Sequence, residues 1–471
     1  MRLPRDDDKL KVRLLKLRQT APVSIVELSV LLGQFVLGRA DPLDLTGLRK
    51  ALEGVDADWR LRGLRAVTTT RFFSHTFPGI LEWALILDPL MREYNFVGLP
   101  YLLQGENRQL RIPRPIVVSL LAHMFLCTLP EPPAFLDMPR YLNFRNLLQN
   151  SSKRQQEVTR LQMFLFFFDI ANPKDLEIDL RGEIVIDRIA NFVGSQDWID
   201  SRKPLLRMEV QPKGVGFEDA PALAHADFAN KYIGGGVLSR GSVQEEIRFT
   251  ICPELLVALL VCPKMEAYES LQICGAEHFV EHSGYASSLA FEGRHRDTAE
   301  RLRDGSVKSC IMAMDAQRFS SNTCLEEQMD SGAMFRDLNK AHAAFTPVPG
   351  FSDEYPQLAT GNWGAGAFNG FAELKALLQW AAASQWGRHI VYFPYDKDFG
   401  PALQKLSAWA ETKRISVSHL VRALCQLRHV SLPPEQLFEA VQGTIAALAC
   451  DRRDGEAAGM RSRSRRRTRQ D

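Results

Sequence analysis

The stretch that decides the reading is Asp227-Phe-Ala-Asn230-Lys-Tyr-Ile-Gly234-Gly235-Gly236-Val-Leu-Ser-Arg-Gly-Ser-Val-Gln244-Glu245-Glu246. Three glycines in a row remove every β-carbon and allow positive φ, so backbone N–H groups can approach a bulky anion, naturally a phosphate or diphosphate. Two adjacent carboxylates beside such a loop suit acid/base work on a bond close to that anion. In a regular strand Glu245 and Glu246 would point to opposite faces. To serve one pocket they are expected on a loop or irregular turn, which Gly241 and Ser242 permit. Mutual repulsion and partial burial would raise the pKa of one of them, as a general acid near neutral pH requires. Taken singly, Gly-Gly-Gly is more often a flexible turn and Glu-Glu a solvated surface. Their coincidence in one short segment, flanked by strand-like runs, favours a site.

The surrounding chain has 471 residues, 45% hydrophobic and 24% charged, with a net charge of +2. That is ordinary globular composition, long enough for two or three domains and a large core. Eight cysteines are scattered without a Cys-x-x-Cys pair, which argues for free thiols in a reducing compartment and against a zinc ribbon or disulfide framework. The N-terminus Met-Arg-Leu-Pro-Arg-Asp-Asp-Asp-Lys lacks the apolar core of a signal peptide. The runs Ile116 to Leu129 and Leu161 to Phe168 are too short or too broken to span a bilayer. A soluble protein, cytosolic or nuclear and without membrane contact, is expected.

Residues 1–200 read as mainly helical, with apolar runs at 23–37 and 115–129, Pro115 suiting a first helical turn. A further helix, 152–168, opens on Ser151-Ser152 and ends in Phe164, Phe166, Phe167 and Phe168, a patch read as helix packing rather than a ligand platform. From about 200 onward, short apolar runs alternate with helices. Strands are expected at 205–210, 247–251, 271–274, 308–314 and 390–393. Helices are expected at 254–260 and 371–386, the second with a Leu374, Leu377, Leu378, Ala381 stripe and Asn369 as N-cap. Such alternation means an α/β layer structure with a largely buried sheet, whose ligands bind at loops beyond strand ends. The division is a mainly helical region over 1–200, an α/β domain over 201–445 and a disordered tail over 446–471. The tail ends Arg461-Ser-Arg-Ser-Arg-Arg-Arg-Thr-Arg469, and reads as an import signal or nucleic-acid contact, against a merely solvating tail.

Gly234-Gly-Gly236 followed by Gln244-Glu-Glu246 resembles the signature of the poly(ADP-ribose) glycohydrolases. The likeness extends through Asp227-Phe-Ala-Asn230, Ile247-Arg-Phe249, Cys252-Pro-Glu-Leu255, Ser283-Gly-Tyr285, Met314-Asp-Ala316, Ala359-Thr-Gly-Asn362-Trp-Gly-Ala-Gly-Ala-Phe368 and Val391-Tyr-Phe393, in matching order over roughly 200–400. The resemblance implies an α/β macrodomain-like fold, a mixed sheet between helices, preceded by a mainly helical accessory region. It makes 1–200 the accessory region and 201–445 the catalytic domain, and implies hydrolysis of the ribose–ribose bond of poly(ADP-ribose) carried on modified proteins, by a nuclear and cytoplasmic enzyme of the DNA damage response, expected as a monomer. Neither metal nor cofactor is needed.

By the same resemblance Glu246 is the general acid/base, Glu245 holds ribose groups of the leaving unit, and Gln244 fixes the distal ribose. Asp227, counted with the catalytic set, and Asn230 line the distal ribose. Gly234, Gly235 and Gly236 contact the diphosphate, and a second loop, Asn362, Trp363, Gly364, Ala365, Gly366, Ala367 and Phe368, closes over it. Phe217 and Glu218 match adenine-holding positions; Tyr285 and Tyr395 are aromatic contacts for the adenosine. Two departures stand out: Pro394-Tyr395-Asp396 where the family usually has Thr-Phe-Gly, and Ala365 in place of a common Cys. A Rossmann reading of Gly364-x-Gly366 fails because Asn369 stands where the third glycine belongs and no suitable strand is expected to lead in. His278-Phe-Val-Glu281-His282 matches an inverted zinc-protease pattern, but Gly284 follows and a strand-like run precedes, so both histidines on one helical face are not expected. The alternative from another class is a macrodomain that binds ADP-ribose without cleaving it, for which Gln244-Glu245-Glu246 would be superfluous.

Overall fold

The computed structural model describes residues 10–12, 14, 15, 18, 67, 69–149, 155–216, 218, 220, 224–348, 351 and 356–448. The expected helix at 23–37, the N-cap-like Ser151-Ser152, Phe217, Cys450 and the arginine-rich tail lie outside the described residues.

In chain order the strands are β1 (Arg108–Pro113), β2 (Glu183–Ala190), β3 (Glu209–Val210), β4 (Ala224–Asp227), β5 (Glu269–Cys274), β6 (Val280–Ser283), β7 (Ala290–Arg294), β8 (Cys310–Ala313), β9 (Gln357–Gly361) and β10 (His389–Phe393). The helices that matter most for the site are α1 (Arg114–Phe125), α2 (Gln155–Ile170), α3 (Gln244–Ile251), α4 (Ser331–Ala344) and α5 (Ala372–Trp386). The described residues fall into two compact units, the first drawn from 1–190, 227–266 and 270–313, the second from 191–226, 267–269 and 314–471.

In the first unit the strand order is β1-β2-β5-β8, with β1/β2 and β5/β8 antiparallel, and β6/β7 forms a separate antiparallel pair. Helix α1 is buried at every position but Pro115 in its first turn. Such a helix, apolar on most of its circumference and buried all round, belongs inside a core. The aromatic patch on α2 packs as expected: Phe164 on Phe144, Phe168 on Phe125, Phe167 on Phe279 and Phe166 on Phe291, with centroids 5.0–5.6 Å apart. Arg114 at the start of α1 is buried against Glu254 at 2.6 Å and Glu277 at 2.8 Å. This satisfies charges that would otherwise be costly to bury.

In the second unit the order is β4-β9-β10-β3, and all three pairings are parallel. Four of the five residues of β9 and of β10 are buried, as strands covered on both faces read: near-continuous apolar runs without alternation. Helix α5 is buried over most of its circumference, well beyond the expected stripe. Antiparallel and parallel strands together make the sheet mixed. Among the described residues no helix is long and apolar enough to cross a membrane. Cys127, Cys252, Cys262, Cys274, Cys310, Cys324 and Cys425 are free thiols.

Several local expectations are corrected. Residues 247–251 are not a strand but most of α3. Their apolar run faces a core on all sides, and a short buried helix and a buried strand have the same composition. Of 205–210 only Glu209–Val210 is strand. The expected helix at 254–260 is a tighter 3₁₀ turn, Pro253–Val257, followed by Ala258–Val261. Phe371, not Asn369, caps α5; the Asn369 side chain instead donates to the Phe319 carbonyl at 3.0 Å.

Candidate active site

Asp227 closes β4, and the segment to Gly241 is a series of tight turns that leads into α3. Gln244, Glu245 and Glu246 are the first three residues of that helix, not a loop. The correction has a simple cause. In the first helical turn the Cα–Cβ bonds tilt back toward the N-terminus, so three consecutive side chains can all reach the preceding chain, and acidic groups there complement the helix dipole.

Each of them does so. Gln244 Oε1 accepts the Phe228 amide at 2.8 Å. Glu245 accepts the amides of Gly234 at 2.6 Å and Asn230 at 2.8 Å, one on each oxygen. Glu246 accepts Gly236 N–H at 2.8 Å on Oε1 and Val243 N–H at 2.9 Å on Oε2, the second bond capping its own helix. The amide of Gly235 donates to the Tyr232 carbonyl at 3.0 Å. The sequence reading put a phosphate against the three glycine amides; in this structure the protein's own carboxylates and a turn carbonyl engage them. The glycines are still required by close approach. A β-carbon on Gly235 would stand 2.5 Å from Glu245 Oε2 and 2.6 Å from Glu246 Oε1, and φ there is +51°. Asn230 turns its side-chain oxygen to the Tyr232 amide at 3.0 Å. Tyr285, 41% exposed, joins the cluster through its hydroxyl, which accepts the Gln244 backbone N–H at 3.2 Å.

Asp227, Glu245 and Glu246 are all buried. Burial pushes Asp227 up to about 8, with Glu246 adding to the rise and Arg248 opposing it. Both Asp227 carboxylate oxygens lack a hydrogen-bond partner among the described residues. Burial likewise raises Glu245 well above the carboxylate range, reinforced by Asp227 and Glu246 and opposed by its two amide donors. Burial and like charge disfavour the ionised form, so at neutral pH the cluster holds a proton rather than a full set of negative charges.

In the second unit, β9 runs into the loop 362–371 ahead of α5, so a strand does lead into this glycine-rich segment, contrary to expectation. Asn362 is tied down at both ends of its amide, donating to the Pro394 carbonyl at 2.7 Å and accepting from Tyr392 Oη at 3.1 Å. Trp363 is fully buried and donates its indole N–H to the Met314 carbonyl at 2.9 Å. Gly364 has φ +69°, and a β-carbon there would collide with Ala316. The Gly370 amide closes the turn onto the Gly364 carbonyl at 2.9 Å. The amides of Gly364, Gly366, Ala367 and Phe368 donate to no acceptor among the described residues, which leaves a short run of N–H groups suited to an anion. Gly366 and Ala367 are exposed, while Ala365 and Phe368 are half-buried. Tyr395, next to the Pro394 and Asp396 that Asn362 contacts, is 49% exposed with φ +49°. Glu218 is half-buried.

Two adjoining stretches match models of one family: residues 64–185 match "Poly (ADP-ribose) glycohydrolase (PARG), helical domain", and residues 195–399 match its "Macro domain fold". The chain belongs to the poly(ADP-ribose) glycohydrolase family. It is 28% identical over 423 residues to "Probable poly(ADP-ribose) glycohydrolase 2" of Arabidopsis thaliana, covering 76% of this chain and 80% of the relative. To "Poly(ADP-ribose) glycohydrolase 1" of the same plant it is 27% identical over 429 residues, covering 74% and 77%. To "Poly(ADP-ribose) glycohydrolase 1" of Caenorhabditis elegans it is 31% identical over 295 residues, covering 60% of this chain and 36% of the relative.

For a poly(ADP-ribose) glycohydrolase the sequence reading overlooked two cations. Arg248 acts on Asp227, and Arg160 on α2 is buried against the glycine loop. Arg160 carries one signal in hindsight: a charged residue in the apolar spacing of Arg160-Leu161, Met163, Phe164 and Phe167, on the buried face of the helix. His278–His282 lies on and before β6, so the zinc-protease spacing is not presented on a helix; His278 instead stacks on His295 at 3.7 Å. Among the described residues no group of His, Cys, Asp and Glu is arranged to hold a metal ion.

Proposed function

We propose that this chain hydrolyses the ribose–ribose O-glycosidic bond of poly(ADP-ribose), releasing ADP-ribose, with Glu246 as general acid and then general base. The observation that carries the reading is the pair of carboxylates laid on a glycine loop, each oxygen of Glu245 and Glu246 held by one backbone amide. Four fixed donors set both carboxyl groups before substrate arrives, which is the condition for efficient proton transfer.

Cleavage develops positive charge on the ribose ring and leaves a hydroxyl that needs a proton. Glu246 donates that proton, then takes one from the attacking water. Glu245 and Gln244 hold ribose hydroxyls, and Asp227 and Asn230 line the same sugar. The raised pKa values of Asp227 and Glu245 support a proton resident in the cluster at neutral pH. Gly234, Gly235 and Gly236 let the sugar and its carboxylates approach closely. The unengaged amides of the 364–368 turn support diphosphate binding by that loop, with Asn362, Trp363 and Ala365 shaping it. Tyr285, Tyr395, Phe217 and Glu218 are proposed for the adenosine end.

Incubation of Glu246→Gln with protein-bound polymer tests the assignment. Loss of ADP-ribose release by about three orders of magnitude or more is expected, with ADP-ribose binding retained; release at a near wild-type rate overturns it. A reader that binds without cleaving would release nothing even as wild type. The family matches, which end at 185 and resume at 195, support a helical accessory region to about 200, ahead of a catalytic domain to about 445. The arginine run 461–469 supports nuclear import or nucleic-acid contact. A monomer acting in nucleus and cytoplasm, in the response to DNA damage, completes the proposal.

A further inference from the structure

We infer that Arg160, on helix α2 of the helical region, is a positioning residue for the reaction: it grips the carbonyls of the 236–239 loop and so fixes both the Glu246 clamp and the direction of the loop's free amides. Its guanidinium is fully buried. One terminal nitrogen donates to the Val237 carbonyl and, at 3.4 Å, to that of Gly236; the other donates to the Ser239 carbonyl at 2.8 Å. A planar fork is suited to several carbonyls at once, as a lysine ammonium is not.

The consequence follows from peptide geometry. In a trans peptide the C=O and the next N–H point in opposite directions. With the Val237 and Ser239 carbonyls turned to Arg160, the amides of Leu238 and Arg240 are turned away from it. Neither donates to an acceptor among the described residues. They are therefore the donors left in this loop once Glu245 and Glu246 have engaged Gly234 and Gly236. The Gly236 residue is held from both sides, its amide by Glu246 and its carbonyl by Arg160. A loop free to rotate about Gly236 would move the carboxylate with it. Burial lowers the Arg160 pKa to about 10, while Glu246 and Glu157 act to raise it, so the side chain stays charged through the neutral range. An uncompensated buried charge would be costly; here both terminal nitrogens are met by carbonyls of the loop that carries the chemistry, while Nε has no partner among the described residues.

The inference rests on the glycohydrolase reading for its kinetic arm only. Arg160→Met and Arg160→Lys are compared with the wild-type full-length protein. Turnover is normalised to binding-competent molecules counted by ADP-ribose calorimetry, and peptide-level hydrogen exchange is followed across the chain. Arg160→Met is expected to lower kcat per competent molecule at least about tenfold with KM changed much less, as misplacement of a reacting group does. Exchange should rise over 234–241 and stay unchanged in α1 and β5. Arg160→Lys should recover part of the loss. A kcat per competent molecule within twofold of wild type in Arg160→Met overturns the inference, as does faster exchange spread evenly through the first unit. Should Arg160→Met fail to fold, the same two criteria apply to Arg160→Lys. Exchange requires no activity, so failure here is distinguishable from failure of the glycohydrolase reading, in which the wild type itself releases nothing.

Discussion

The amide of Gly236 donates to Oε1 of Glu246 at 2.8 Å, across ten residues of chain. This bond makes the triple glycine part of the acid/base apparatus and not only a lining for a ligand. Gly235 stands between the two carboxylates, where a β-carbon would lie 2.5 Å from one and 2.6 Å from the other. Gly235→Ala therefore displaces both carboxyl groups and also strains a positive φ. A fall in kcat of about a hundredfold or more is expected from the lost geometry. The backbone strain should cost only about 1–3 kcal/mol, read by denaturant unfolding of the same sample.

Asp227 governs a pH dependence of stability. Its folded pKa is raised to about 8, against an unfolded value near 4. Between those values the folded chain keeps a proton that the unfolded chain releases, so stability from this group is fully present below pH 4 and is lost as pH rises through 8. The slope reaches at most about 1.4 kcal/mol per pH unit. In Asp227→Asn that contribution disappears, and unfolding free energies measured at pH 5 and pH 7.5 should differ less than in the wild type.

Arg114 tests the core around the start of α1. Its guanidinium and the Glu254 carboxylate are both fully buried, and Glu277 leans on the same cation. Arg114→Met leaves the Glu254 carboxylate without its main partner, while Glu277 keeps Arg301 at 2.7 Å, at an expected cost of about 3–5 kcal/mol. Adding Glu254→Gln should restore part of it. A double-mutant cycle by urea unfolding reads the coupling.

Tyr285 contributes a hydroxyl that accepts the Gln244 amide at 3.2 Å. That amide, in the first helical turn, has no intrahelical partner. Because Tyr285 is 41% exposed, water can replace the lost acceptor in Tyr285→Phe. A drop in kcat/KM of about twofold to fivefold is expected, in line with a net hydrogen bond of about 1 kcal/mol or less. Tyr285→Ala, which also removes the ring, should lose more; steady-state kinetics on defined polymer separates the two.

The helical start at Gln244 was within reach of the sequence. Ser242-Val-Gln-Glu245 has the spacing of a helix-initiating cap, one residue ahead of the Val243–Glu246 cap that forms, and paired acids favour a first turn; the run Ile247–Ile251 drew the reading toward a strand instead. Strands β5, β8 and β10 were legible because buried sheet strands are short apolar runs bounded by polar residues, whereas β9, Gln357–Gly361, was not expected from its mixed composition. The Asn369 cap failed because its side chain found a nonlocal acceptor, the Phe319 carbonyl, which no local pattern announces.

By itself the sequence determined the family, the alternation of strands and helices, and the residues that carry the signature, because these depend on residue type and short-range spacing. Only the tertiary structure decided that the glycine amides engage Glu245 and Glu246, that Asp227 is buried without a donor among the described residues, and that an arginine more than seventy residues upstream grips the same loop. Those facts follow from where backbone carbonyls and amides point once the chain has closed on itself, and the peptide group is the same at every residue, so its direction leaves no mark in the letters.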